Sequence, residues 1–477
     1  MTATAPTANL LDAQYQFLPA VNVVSFAGPG MKQGMSASLE PVVKRLNARV
    51  NWFALTDHPQ DQAENQAESR KKGSGPGFSY YTPKLSTGLM ARLLDDYKTM
   101  AQGYLWSLLH GDPHKYPFDL KIWKSFKQLS QAVAGECLNS STMSFPSLCW
   151  LHDYQLAMGA PALASQSGII LCQFWHVPFP SAAVMQQSPI GAELTQALLQ
   201  NKLIGFHTER YASNFLDTVE AFFPEAKIDR ALKVVSLGRK QTRVAVMPLG
   251  VDSSYWQKLA MDSKPHAEAL ARTHGLAQQY IVGIDKLDYT KGIIERLNGL
   301  DLFLATHPEM LKRFHYVQLS QPNQGASEEH KQYEILVDKR ISAINTRFGD
   351  ADWQPILHIK EHLGHAKLSA WYQSATALSI NSLSDGLNLL AKEFVASRID
   401  ESGVLILSKA TGAAEELGQG AILVDPTDPA AISAAFAQAL SLTWEEKHNR
   451  MVGMRQTIGW NQLIGWAMGF LGQALAE

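Results

Sequence analysis

The sequence has little cysteine: Cys137, Cys149 and Cys172 are the only three in 477 residues, and none sits in a CxxC pair. An odd, widely spaced set of this kind indicates neither a disulfide framework nor a zinc knuckle, and it suits a reducing, cytoplasmic compartment. Net charge of either sign is also lacking, since 42 Lys+Arg against 44 Asp+Glu leave −2. That balance excludes a chain whose task is neutralising nucleic acid or an anionic membrane, while leaving room for a local basic pocket. No window reaches about 18 uninterrupted apolar residues, so no membrane span is expected. The opening MTATAPTANLLDAQYQFLPA has no basic stretch followed by an apolar one, which argues against a secretory leader. The GxSxG elbow, HExxH and GxxxxGK[ST] are absent too, which removes three common routes to hydrolysis or nucleotide cleavage.

What is present is an ordinary globular composition, 46% hydrophobic and 18% charged, over a length that at about 150 residues per domain predicts two to three domains. Short β-branched and apolar runs at 21–28, 147–153, 168–175 and 203–208 read as strands with helical stretches between or after them. A strand is also expected at 48–57, and the polar, turn-rich stretch 57–77 reads as an exposed loop. A fresh series opens at 279–285 and continues at 315–320, 355–360, 377–382, 403–408 and 421–425. Strands alternating with helices predict α/β architecture with two doubly wound domains of similar size. The expected boundaries are 1–248, 249–452 and a closing helix over 453–477 that packs back on the domains.

Open α/β sheets bind ligands beyond the carboxyl ends of their strands, so the loops there come first. In GIDKLDYTKGIIERL, Lys286 and Lys291 stand between a strand and a helix start, an arrangement suited to an anion; the plainer reading is two lysines on a solvated loop, and Lys291 could also pair with Asp288. In INSLSDGLNLLAKEF, Asp385 precedes a helix whose first amides, those of Leu387, Asn388 and Leu389, could hold a diphosphate. Glu393 lies eight residues on, roughly 12 Å along a helix at 1.5 Å per residue, a sugar-to-ribose span. The plainer alternative is a helix cap at Asp385 and a surface carboxylate at Glu393. WLHDYQL and FWHVPFP place Asp153 and His176 just after two successive strands. The Asp350-Ala-Asp352 pair is read as a chance DxD rather than a metal site, and His110 and His114, separated by Pro113, as loop residues.

Taken together, WLHDYQL, FWHVPFP, IGFHTERYASNFLD, DKLDYTKG, SDGLNLLAKEF and LSKATGAAEEL resemble, in order and spacing from about 146 to 440, the trehalose-6-phosphate synthase and glucosylglycerol-phosphate synthase family of retaining glycosyltransferases. The resemblance implies the GT-B fold, two facing Rossmann-like doubly wound domains, with the first binding the acceptor and the second the nucleotide sugar. It implies that Lys286 and Lys291 neutralise the donor diphosphate, that Leu387, Asn388 and Leu389 line it, and that Glu393 holds the ribose. Asp153, His176 and Asp385 would surround the transferred glucose and the acceptor hydroxyl, and Gly34 in KQGMSASL resembles a close-approach glycine of the N-terminal loop. No cofactor or metal is implied. The implied partners are a nucleotide sugar and a small phosphorylated acceptor, without nucleic acid or membrane, and homo-oligomerisation is left open.

Three departures bear on substrate. Position 286 is commonly arginine in the family, and lysine keeps the charge but loses the bidentate fork. Two arginines that grip the phosphate of glucose 6-phosphate in trehalose-6-phosphate synthases are replaced in Ser25-Phe26-Ala27 and in Asn323-Gln324-Gly325. Lys32 is a candidate replacement cation. The loss of two bidentate phosphate contacts turns the expectation toward glycerol 3-phosphate as acceptor and glucosylglycerol phosphate, a compatible-solute precursor, as product. Glucose 6-phosphate follows as the alternative, then an unphosphorylated or cyclitol-type acceptor. From another class, a catalytically silent nucleotide-sugar-binding regulator stays open, with a phosphorylase further behind.

Overall fold

Continuous apolar runs, rather than alternating ones, mark strands covered on both faces, and two sheets are built from them. The computed structural model describes residues 19–30, 35–46, 48–56, 74–75, 78–82, 87–140, 145–321, 328–460 and 462–476. The chain divides into two compact units, one running to Met247 and regaining the chain from Ala467 onward, the other Pro248–Trp466.

The first unit carries β1 (Ala20–Ala27), β2 (Val50–Thr56), β3 (Ser74–Gly75), β4 (Phe78–Tyr81), β5 (Ser147–His152), β6 (Ile169–Phe174), β7 (Leu203–Phe206), β8 (Lys227–Asp229), β9 (Val234–Leu237) and β10 (Lys240–Val246). They form one sheet in the order β3-β4-β2-β1-β5-β6-β7-β10-β9-β8. Every residue of β5 is buried, as a central strand requires. From β4 to β10 neighbouring strands run parallel, and β1 lies between β2 and β5, so the sheet reverses direction of growth at β1 and β5. The core on this sheet includes Phe53, Trp123, Phe126, Trp175, Phe206 and Phe215. All three cysteines are free and buried, with the Cys137 and Cys149 sulfurs 4.0 Å apart.

The second unit carries β11 (Gln279–Lys286), β12 (Phe314–Gln321), β13 (Ile356–Lys360), β14 (Ala377–Ile380), β15 (Val404–Ser408) and β16 (Ile422–Val424), in the order β13-β12-β11-β14-β15-β16, all parallel. This is the classical dinucleotide-fold order with its switch point between β11 and β14. Leu297, Leu300 and Phe303 of the helix after β11 pack with Tyr316 and Phe436 in the core.

Two features differ from the sequence expectation. The first sheet is mixed: β8, β9 and β10 form an antiparallel meander, turned at Gly238 with φ +60°. The end of the chain holds two helices, Trp444–Trp460 and Leu463–Leu475, instead of one closing helix. Within the first unit, Phe470 of the last helix packs on Trp150 and Phe174.

At the second unit's switch point, Gly292 adopts φ +61°, and a Cβ there would lie 2.1 Å from the Asn381 carbonyl oxygen. Gly275 shares a positive φ, +62°, but a Cβ would meet nothing within 4 Å. Urea denaturation should therefore find Gly292→Ala destabilised by about 3 kcal/mol or more, against about 1 kcal/mol for Gly275→Ala. Equal losses would show that the close approach at Gly292 contributes nothing.

Candidate active site

In the second unit, β11 leads through Asp288 into a single 3-10 turn, Tyr289–Lys291. Asp288 caps that turn, accepting from the Thr290 amide at 2.9 Å and its hydroxyl at 2.6 Å, while His330 Nε2 stands 3.4 Å away. Burial alone would raise the Asp288 carboxyl, but the His330 and Thr290 hydrogen bonds and the charge of Lys291 hold it well below the usual range. Lys291 does not ion-pair with Asp288; its Nζ lies 2.8 Å from Asp385 Oδ2 across the switch point. The same oxygen accepts from Ser382 Oγ at 3.2 Å and Asn388 Nδ2 at 3.1 Å. Burial would lower the Lys291 ammonium, and Asp385, with Asp288 and Asp285 behind it, reverses that and raises it. Lys286, at the exposed end of β11, is lowered first by loss of solvent around its ammonium and then by the charge of Lys291.

The helix after β14 is Leu389–Ser397, so Asp385 stands before it and does not cap it. Asn388 is the cap: with φ 78° it accepts from the Ala391 amide at 3.2 Å. The amides of Leu387, Asn388 and Leu389 have no hydrogen-bond acceptor among the described residues, as expected where a helix begins. Gly412 lets Gly386 approach, since a Cβ there would lie 2.0 Å from the Gly386 oxygen. Glu393 falls in the second turn of this helix, so the eight residues from Asp385 include only four helical steps and the expected 12 Å helical ruler is not how the two are spaced. Tyr372 OH donates to Glu393 Oε2 at 3.2 Å, and burial still pushes the carboxyl up to about 7. Glu393 is therefore not the solvated surface carboxylate of the plainer alternative.

In the first unit, Asp153 follows β5 with φ 64°, a strained value for a residue other than glycine. Its Oδ1 accepts from the amides of His176 at 3.2 Å and Val177 at 3.4 Å, and Gln173 Nε2 donates to its carbonyl at 2.9 Å. It does not cap the turn that follows. Burial raises the carboxyl to about 6 against the lowering effect of the His176, Tyr154 and Val177 amides. His176 hydrogen-bonds through Nε2 to His152 Nδ1 at 3.1 Å, and burial pushes its imidazole down to about 3.

At the end of β1, the Ala27 carbonyl accepts from Ser25 Oγ and Ser36 Oγ, both at 2.7 Å, and Phe26 stacks on Tyr97 at 5.4 Å. Gly34, Lys32 and Asn323-Gln324-Gly325 lie outside the described residues, as does most of the expected loop 57–77. Asp350 receives the amides of Asp352 and Trp353 and pairs with Lys312, which makes the DxD a surface turn. Among the described residues no His, Cys, Asp and Glu are grouped to hold a metal ion. His110 and His114 bond to Trp106 and Gln187.

The sequence pattern of glycosyltransferase family 20 matches residues 22–476. The chain belongs to that family. It is a glycosyltransferase, and its two Rossmann-like sheets are those of the GT-B fold. A bifunctional trehalose-6-phosphate synthase/phosphatase of Thermoproteus tenax is 29% identical over 467 residues, covering 97% of this chain and 59% of that relative's length. The UDP-forming alpha,alpha-trehalose-phosphate synthase of Pichia angusta is 28% identical over 444 residues, 91% of each chain. Among solved structures, the alpha,alpha-trehalose-phosphate synthase of Burkholderia xenovorans in complex with glucose-6-phosphate overlaps with TM-score 0.87 at 24% identity, covering 96% of this chain and 100% of that one. The enzyme of Burkholderia vietnamiensis overlaps with TM-score 0.86 at 25% identity, covering 97% and 98%.

The sequence reading missed several supporting groups: Ser382 and the Asn388 side chain on Asp385, Tyr372 on Glu393, and His152 behind His176. His152 adjoins Asp153 at the same strand end, a signal that was available. Tyr372, distant in sequence from Glu393, gave none.

The Asp153 carboxyl is raised in the folded chain, so its contribution to stability is complete below its unfolded pKa and is lost as pH rises through about 6. Asn keeps the size of Asp and its Oδ1 acceptor, meets the same backbone strain and carries no charge. Asp153→Asn should therefore gain stability over the parent between about pH 4 and about pH 7, by on the order of 2–3 kcal/mol in urea titrations. A gap that stays constant, or narrows with rising pH, would contradict this.

Proposed function

We propose that this glycosyltransferase moves glucose, with retention of anomeric configuration, from a nucleotide-glucose donor to a small phosphorylated acceptor, with glycerol 3-phosphate first among acceptors. The observation that carries the donor half is the second unit's switch point. Lys291, kept charged by Asp385, and the three amides at 387–389 belong to the two loops where a dinucleotide fold receives a diphosphate. Lys286 adds a second cation from the same loop. As the sugar–phosphate bond breaks, negative charge grows on the leaving diphosphate, and cations and amides already in place favour that state over the bound ground state. Glu393 accepts from the ribose hydroxyls. Asp153, His176 and Asp385 take the roles toward glucose and acceptor that the family resemblance assigns. In that scheme a leaving phosphate oxygen accepts the acceptor's proton, and no metal takes part.

The acceptor half rests on position 27. An alanine whose carbonyl is engaged by two serine hydroxyls, beside an aromatic stack, offers no guanidinium for a sugar phosphate. Trehalose-6-phosphate synthesis is the second reading, favoured by the names of the relatives. Product analysis should decide: with a nucleotide-glucose donor, turnover with glycerol 3-phosphate should exceed turnover with glucose 6-phosphate, and unphosphorylated glycerol should be a poor acceptor. Faster transfer to glucose 6-phosphate would reverse the ordering and leave the donor half standing.

A further inference from the structure

Three imidazoles stand at the carboxyl ends of adjacent strands in the first unit. His152 is the last residue of β5, His176 follows β6 by two residues, and His207 follows β7 directly. Phe174 lies among them, its ring centroid 4.9 Å from His176 and 5.0 Å from His207. The single hydrogen bond recorded between these rings joins His152 Nδ1 to His176 Nε2 at 3.1 Å. His152 is fully buried against the Trp150 ring, 4.4 Å between centroids, and its Nε2 has no hydrogen-bond partner among the described residues.

A hydrogen bond between two neutral imidazoles obliges one to donate and the other to accept, and each ring carries a single N–H. If His176 donated from Nε2, His152 would accept on Nδ1 and carry its own hydrogen on Nε2. That would be a buried N–H with no acceptor. If His152 donates, what remains on its Nε2 is a bare lone pair. Buried donors without an acceptor are rarer in folded proteins than acceptors without a donor, and a tautomer is properly assigned by this kind of hydrogen-bond accounting.

We propose that His152 is a positioning residue that donates Nδ1–H to His176 Nε2 and thereby fixes His176 as the neutral tautomer protonated on Nδ1. Nδ1 is then the nitrogen from which His176 donates to the transferred sugar or its acceptor. That last step rests on the proposed function; the tautomer assignment does not. Protonating His176 would set two N–H groups against each other, and burial independently holds both rings below the ordinary histidine value.

Histidine-selective 15N labelling of the full chain tests this, with His176→Gln identifying the His176 resonances. Without substrate, Nε2 of His176 should report as unprotonated and Nδ1 as protonated. His152→Asn, whose amide can donate from near the Nδ1 position, should keep that pattern and most of the turnover. His152→Phe, which keeps the ring and loses the donor, should give a mixture of tautomers and a kcat lower by on the order of tenfold, the loss of one hydrogen bond in the transition state, with donor KM unchanged. A His176 protonated on Nε2 in the parent enzyme, or a pattern indifferent to His152→Phe, would overturn the assignment. His176→Gln transferring at the parent rate would overturn the role given to His176 while leaving its tautomer as assigned.

Discussion

One ammonium held across a strand-order reversal is the constraint around which the switch point of the second unit is built. Lys291 follows β11 and Asp385 follows β14, and in a sheet that grows one way from β11 and the other way from β14 their loops diverge unless something ties them. The tie is both steric and electrostatic. Gly292 allows the Asn381 carbonyl to approach, Asn381 Nδ2 spans Gly292 O and Pro426 O, and Asp385 receives Lys291, Ser382 and Asn388 on one oxygen. Removing solvent from an ammonium ordinarily lowers its pKa; here the neighbouring carboxylates outweigh that, so the cation persists where a diphosphate would need it.

The first unit solves a different problem with the same sheet grammar. Burial moves the Asp153 carboxyl up and the His176 imidazole down, so both are pressed toward their neutral forms. Backbone amides partly compensate at Asp153, and His152 supplies the partner that keeps the His176 ring in place. Neutral, oriented donors and acceptors suit hydroxyl-rich ligands, whereas the charged groups of the second unit suit an anion.

Much of this was legible in the sequence because apolar strand runs and the loops after them are local signals. The central strands stand close to where the runs place them; Lys286, Asp153 and His176 stand at strand ends, and Lys291 and Asp385 in the loops that follow. What escaped depends on contacts between distant segments. The β8–β10 meander is made of short strands, three to seven residues each, whose antiparallel pairing is set by contacts across the turn at Gly238. Glu393 was placed by a helical ruler that fails because the chain makes its turn through Asn388 before the helix begins. The sequence offers Lys291 only the nearby Asp288 as a partner; Asp385 becomes its partner through the sheet order that brings β14 beside β11.

Calorimetric titration with a nucleoside diphosphate glucose, comparing the parent chain with Lys291→Met, tests the central claim most directly. The parent should bind saturably and the variant should lose affinity on the order of 10²-fold or more, as expected when a charge-assisted phosphate contact is removed, with both proteins unfolding cooperatively. Equal affinity in the two folded proteins, or no uptake by the parent, would contradict it.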